Sequence, residues 1–393
     1  MKAVNYVLNI AALAIVLASA ILFAACSNEV EREASYCLKQ DYRYVKDRPL
    51  VDARLVREIP NTENYNATSI EVFDSLGVVK NWSLGDEGDV FSLLNINTGE
   101  EYGSFCPTGR GPKDMTFGSN VMCKPMIVDG EVVVMVYDTN THKIFTWNIT
   151  RSLGNGYTVY DDVRQMPKLS RSSWLYALND EYYLNFVSGM ISGLSFAGGG
   201  GNNQLKATMP KFQIRGAEDF SLIKEYDIYT DSVKMCDGIT ARMVNTRAPH
   251  IVHKRDKAIF AQLYVPQINI LDLKSGKVDA IRIKGEKVET DIEKICECYG
   301  DYDSDDKYIY ALYNNNSTVE YEKMIYGENK DLDAASAYVR NTPTQLLVFD
   351  YDGNLVARYK LDGLYDTISV CNGRLYAHTH YSGRLTEYDL GLK

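Results

Sequence analysis

Residues 346–361 read LLVFDYDGNLVARYKL, and the fold is decided here. An apolar run meets a turn built from Asp350, Asp352, Gly353 and Asn354, and a second apolar run follows. Glycine supplies a positive φ, and Asp or Asn side chains bond their own backbone within a turn. The stretch therefore reads as two antiparallel strands tightly joined. The same grammar recurs upstream in FSLLNINTGEEYGSF (91–105), KIFTWNITRSLGNGYTVY (143–160), FQIRGAEDFSLIKEYDIY (212–229) and INILDLKSGKVDAIRI (268–283). The turns centre near 98, 153, 218, 275 and 352, and most spacings of about 55–65 residues suit one four-stranded blade plus its loops.

The expected fold is therefore all-β, a β-propeller of six blades, with seven as the other count. A large β-sandwich or two small β domains is the competing architecture. A last unit runs through LYDTISV (364–370), RLYAHTH (374–380) and RLTEYDL (384–390), and there the chain ends with three strands. The missing fourth is expected from ARLVREI (53–59), so that the N-terminal strand closes the ring and removes its exposed edges. Radial repetition also explains how some 350 residues form one domain without thickening a single core. Two insertions, 188–210 and 314–343, fall between the second and third strands of their units. They are expected at the end of the propeller that carries the blade-to-blade crossings, and a ligand is expected there too.

Composition narrows the function. The net charge of −10 opposes a nucleic-acid partner, because phosphate recognition needs a clustered positive field. Tyr is used 29 times and Pro only 10, as suits half-buried pleated surfaces. Of eight cysteines, Cys296 and Cys298 form a Cys-x-Cys pair in a strand-like segment. No further ligands lie at a metal-binding spacing, so buried thiols are expected.

The N-terminus carries a different signal. Lys2 precedes an apolar run that ends at Ala24-Ala25-Cys26-Ser27. Small residues after an apolar core suit a signal peptidase. An ordinary secretory signal or a single membrane anchor is the plainer alternative. The segment resembles the lipobox of bacterial lipoproteins, with Phe23 where such boxes usually carry Leu. The resemblance implies removal of residues 1–25 and acylation of Cys26, palmitate included. Residues 26–45 would then be a tether and 46–393 the propeller. Ser27 suits sorting to the outer membrane.

Together the lipobox, the unit length, the blade endings and the segment GRGPKD (109–114) make the chain similar to the TolB-like six-bladed β-propeller lipoproteins. Lys113 stands where that family often has Gly. The family implies no defined reaction.

Chemistry-bearing segments are few. In GRGPKD, Gly109 and Gly111 permit tight turning while Arg110 and Asp114 offer charge. These two, with Arg242 and Arg247 from another expected crossing, are the candidate ligand-binding residues, and a structural loop is the other reading. DYDSDD (301–306) departs from the EF-hand pattern at Asp306 and Leu312, so a solvated Asp-rich turn is expected. His378 and His380 are expected in one strand, sharing a face, and His250 and His253 bracket another. No nucleophile elbow or zinc-protease motif is present, so no catalytic residue, metal or cofactor is assigned. The favoured reading is a non-catalytic binding or scaffold propeller at the outer membrane, facing a glycan, a peptide or another envelope protein. The alternatives are a carbohydrate-active hydrolase or lyase at the channel mouth, and a structural assembly subunit.

Overall fold

Each repeat of the strand–turn–strand grammar becomes one blade, and six blades stand in a ring. The computed structural model describes residues 38–39, 41–60, 62, 67–81, 88–169, 173–192, 205–229, 233–236, 246–252, 255–289, 297–313, 324, 331–380 and 382–392.

The chain enters through three strands, β1 (Tyr42–Val45), β2 (Leu50–Asp52) and β3 (Arg54–Glu58). Blade one holds β4 (Ala67–Phe73), β5 (Leu76–Asn81), β6 (Asp89–Asn95) and β7 (Glu101–Pro107). Blade two has a broken first strand, β8 (Ser119–Val121) and β9 (Met126–Val128), then β10 (Glu131–Asp138) and β11 (Lys143–Asn148). Helix α1 (Ile149–Asn155) leads to its last strand, β12 (Tyr160–Gln165).

Blade three comprises β13 (Ser173–Ala177) and β14 (Tyr182–Val187), then β17 (Lys211–Gly216) and β18 (Leu222–Glu225). Its insertion supplies β15 (Met190–Ser192) and β16 (Leu205–Thr208), which form a small separate sheet with β19 (Val233–Cys236). Blade four is β20 (His250–Val252), β21 (Lys257–Ala261), β22 (Gln267–Asp272) and β23 (Val278–Ile283). Blade five is β24 (Tyr299–Ser304), β25 (Tyr308–Tyr313), β26 (Gln345–Asp350) and β27 (Leu355–Lys360), with α2 (Leu332–Asn341) inserted before β26. Blade six is β28 (Thr367–Cys371), β29 (Arg374–His378) and β30 (Leu385–Asp389), completed by β3.

The closure pairs the expected strands, β3 with β30. Leu55 pairs with Tyr388 and Glu58 with Thr386, with a bulge between Leu55 and Arg57. Arg57 binds Glu387 at 2.7 Å and the Asn97 carbonyl at 2.6 Å, tying the closing strand to blade one. The chain upstream of this closure is more ordered than a tether would be. β1 lies parallel on the outer edge of blade four and β2 on that of blade five. Leu38 already bridges Tyr229. From Leu38 onward, the segment expected to be tether is thus an edge-covering belt. Arg43 holds Asp279 and the Asp352 carbonyl, pressing on the very turn that opened the sequence reading. There Asp350 accepts the Asp352 and Asn354 N–H groups, and Gly353 takes φ +74°. A side chain at Gly353 would strike Ile281 and Arg43.

The core lies between blades. Clusters join Leu184, Phe212 and Phe260 across blades three and four, Ile259, Ile309 and Phe349 across four and five, and Leu346, Ile368 and Tyr388 across five and six. The first strands pack on one another around the axis, β24 on β28 and β28 on β4.

Two ends of the channel result. At the crossing end, β16 of the first insertion pairs with β19 in the crossing from blade three to four. The Val339 carbonyl of α2 accepts Leu364 N–H in the crossing from five to six. Both insertions therefore meet crossings, as expected. At the opposite, turn end, first and second strands join through short turns. Asp74, Asp129, Asp256 and Asn372 there adopt positive φ, and Gly130 and Gly373 complete two of the turns in the left-handed pairing that suits hairpins.

Candidate functional site

The inner strand of a propeller blade pairs on one side only, so its other edge presents unmet N–H groups to the channel. A buried amide without a partner is costly. This chain satisfies several with side chains of the neighbouring blade. Asp301 accepts Ile368 N–H at 3.0 Å and Asp303 accepts Val370 N–H at 2.6 Å, both from blade five to blade six. Ser369 Oγ accepts Val72 N–H at 2.9 Å, from six to one. Asp301 and Asp303 sit two apart on β24, so the strand period places both on one face. The first half of DYDSDD is thus not a solvated turn. Tyr302 between the carboxylates faces blade four and bonds the Ala248 carbonyl, and only Asp305 to Lys307 form the turn.

Lys124 crosses the channel from blade two to reach this face. Pro125 cannot donate to the ladder, and the first strand of blade two breaks between β8 and β9. That break carries Lys124 inward. Its Nζ donates to Asp303 Oδ2 at 2.6 Å, Val370 O at 3.1 Å and Ser304 O at 3.3 Å. Three donors meet three acceptors, so the ammonium is saturated. Burial pushes its pKa down, but Asp303 and Glu71 outweigh that and hold it above the ordinary lysine value. His250 Nε2 lies 2.8 Å from Ser304 Oγ and 3.4 Å from Asp303 Oδ1.

Glu71 completes the group. It projects from β4 between Ile70 and Val72, which are buried against blade six. Burial first, then Asp303 and Asp301, raise its pKa to about 8, and Lys124 offsets this only in part. Burial likewise lifts Asp301 to about 6, against the pull of Arg247. Glu71, Lys124, His250 and Ser304 form the floor of a cavity of about 730 Å3 at the turn end, and Asp303, which holds Lys124, does not itself line it. Its walls include Phe73, Tyr176, Val252, Tyr308 and Leu392. Among the described residues no group of three or more His, Cys, Asp and Glu side chains could hold a metal ion.

The residues singled out by sequence lie elsewhere. Arg110 is exposed at the crossing from blade one to two. Asp114 Oδ2 accepts Gly111 N–H at 2.6 Å, and a Cβ on Gly109 would lie 2.3 Å from that oxygen. Asp114 therefore occupies the space that the two glycines leave open, and it orders its own loop. Lys143 at the start of β11 donates to the Pro112 carbonyl and docks that loop on the crossing end. Arg247, in the crossing to blade four, binds Tyr299 O at 3.0 Å and Glu297 at 3.3 Å. No hydrogen bond or ion pair among the described residues joins Arg247 to the 109–114 loop. Cys26, Arg242, His253 and Cys296 lie outside the described residues.

Other candidates resolve as structure. Cys298 is buried, just before β24 rather than within a strand. β29 ends at His378, which is buried and held neutral by burial, with its pKa lowered to about 4. His380 lies beyond the strand and bonds Asp366.

No family model matches the chain, and no curated protein does. Among solved structures it is similar to BamB from Moraxella catarrhalis, at 14% identity over 82% of this chain and 84% of that one, with a TM-score of 0.32. A member of the DUF4221 family from Bacteroides vulgatus shares 9% identity over 90% and 96%, with a TM-score of 0.48. Hydrazine synthase from Kuenenia stuttgartiensis shares 10% over 84% and 96%, with a TM-score of 0.43. None of these likenesses bears on what this chain does.

Proposed function

We propose that the protein is a non-catalytic binding propeller of the bacterial envelope, of the TolB-like lipoprotein kind, held at the outer membrane through lipid on Cys26. We place its ligand site at the turn end of the channel. The observation that carries this reading is the cavity of about 730 Å3, backed by ionisable groups that are largely engaged in holding the ring together. Asp301 and Asp303 bond inner-edge amides, and Lys124 has no proton left to offer. General acid–base catalysis needs an acid and a base together within reach of the reacting atoms. On this floor Glu71 alone is left without a hydrogen bond or ion pair among the described residues, an arrangement that favours a polar-floored receptacle.

Two experiments test the reading. Thermal-shift screening of the full chain against peptides, glycans and amines, with mass spectrometry of each recovered ligand, should give a raised melting temperature and an unchanged ligand. Chemical conversion of the ligand would contradict the non-catalytic reading. Fractionation of a Cys26→Ala variant should release it from the membrane, and unchanged membrane association would remove the lipid anchor.

A further inference from the structure

The cavity floor is asymmetric in what it offers a ligand. Lys124, which would attract an anion, already has an acceptor for each of its three protons. Asp303 accepts from Val370, Ser304 and Lys124, and Asp301 accepts from Ile368. Asp305, at the rim, accepts from the Lys307 and Tyr308 amides and the Tyr310 hydroxyl. Glu71 differs from all of these. It lines the cavity, and no hydrogen bond or ion pair among the described residues reaches its carboxyl. At the floor, away from the exposed Lys307 of the rim, the unmet polar group is thus an acceptor, beside apolar and aromatic walls supplied by Phe73, Tyr176 and Tyr308.

Resting on the turn-end site proposed above, we infer that this cavity binds a ligand through a cationic nitrogen, a primary ammonium or guanidinium at the end of an alkyl stem, seated against the Glu71 carboxylate. The stem packs on the aromatic walls while the charged head reaches the floor, the same division that lets Lys and Arg side chains cover apolar surface. A neutral donor would satisfy Glu71 less well, because bonds between ionised partners are roughly twice as strong. At the floor an anion would meet Glu71, with Asp301 and Asp303 adding negative field and Lys124 already engaged, while Lys307 offers its charge only from the exposed turn at the rim.

The proton balance gives a signature. Glu71 is faced by Asp301 and Asp303 from β24, by Lys124 and Cys123 from the break in blade two, and through Asp303 by His250 from β20. Without ligand these surroundings keep it largely protonated at neutral pH, its pKa being about 8. The arriving ammonium stays charged up to about pH 10. Binding then expels the Glu71 proton to solvent, and affinity rises with pH, by about tenfold per unit below pH 8.

The test is titration calorimetry of the full chain at pH 6, 7 and 8 with acetyl-Gly-Lys-Gly-amide, its norleucine and glutamate counterparts, and n-butylammonium. The lysine peptide should bind at least about tenfold tighter than the norleucine peptide at pH 8, with release of one proton below pH 8. Glu71→Gln keeps the side chain's shape and should abolish both the preference and the pH slope while its melting curve shows a folded protein. n-Butylammonium binding as tightly as the peptide would assign the site to free amines, and weaker binding would assign it to side chains on a peptide or loop. Equal binding of the lysine and norleucine peptides, or a preference that survives Glu71→Gln, would overturn the cationic assignment while leaving the receptacle in place. Failure of every probe to bind would overturn the turn-end site itself.

Discussion

The two ends of the channel are built from opposite materials. The crossing end carries the long insertions, the Gly-rich loop 109–114 and Arg247; there Asp114 is turned on the backbone of its own loop and Arg247 on Tyr299 O and Glu297 of blade five. The turn end carries hairpin turns of a few residues, yet the cavity opens there, floored by Glu71 and by Lys124, which Asp303 holds from behind. Long loops gather function on many scaffolds. Here the short turns leave the ends of the inner strands uncovered, and Lys124, which ties blade two to blades five and six, lines the opening.

This contrast can be broken by mutation. The largest effect should come from deleting the residues up to 59. The deletion strips the edges of blades four and five and one strand from blade six, so both ends should be lost together in one cooperative step. A parent-like melting curve would show that the ring does not depend on the belt.

Lys124→Met should follow. It leaves Asp303, 3% exposed, without its cation. Because the Lys124 side chain is itself about one-third exposed, the cost should be about 2–3 kcal/mol by denaturant unfolding rather than the full value for a buried pair. A loss below about 0.5 kcal/mol would mean that the bridge across the channel is ornamental.

Glu71→Gln should act in the other direction. The folded pKa of Glu71 lies above the unfolded value, so the native state binds the extra proton, and stability falls as pH rises from about 4.5 through about 8. Replacing the carboxyl should therefore stabilise the protein at pH 9, on the order of 1–2 kcal/mol, since water in the channel screens the ionised form. It should change little at pH 4. Stabilisation that is equal at both pH values would contradict the burial argument.

The smallest effects belong to the crossing end. Asp114→Ala removes the acceptor of the Gly111 amide and should cost about 1 kcal/mol. Arg110→Ala should stay within about 0.5 kcal/mol, and neither should alter ligand affinity.

The fold was legible because blades announce themselves locally. Turn chemistry at Gly353 and the apolar runs on either side are properties of adjacent residues, and the absent fourth strand of the last unit pointed to residues 53–59. The belt was not legible. Tyr42–Val45 and Leu50–Asp52 are short and mostly exposed, and what makes them strands is the free edges of β23 and β27, far away in sequence. The site was hidden for a related reason. Glu71 looks like the polar position of an alternating strand, and Lys124 like a surface residue before a proline. Only the ring brings them to Asp303. A signal was nonetheless present in the alternation of Asp301, Tyr302 and Asp303, which places two carboxylates on one face of a strand, and the Asp-rich composition drew the reading toward a turn instead. Charged residues in a glycine-rich loop attracted attention that the loop's own hydrogen bonds explain.

The central claim, that the turn end is the working end, is tested most directly by amide hydrogen exchange of the full chain with and without saturating acetyl-Gly-Lys-Gly-amide at pH 8. Protection is expected at 250–252, 305–308 and 371–374, with residues 109–116 unchanged. Protection confined to 109–116 and 246–249, with the turn-end segments exchanging as before, would contradict the account.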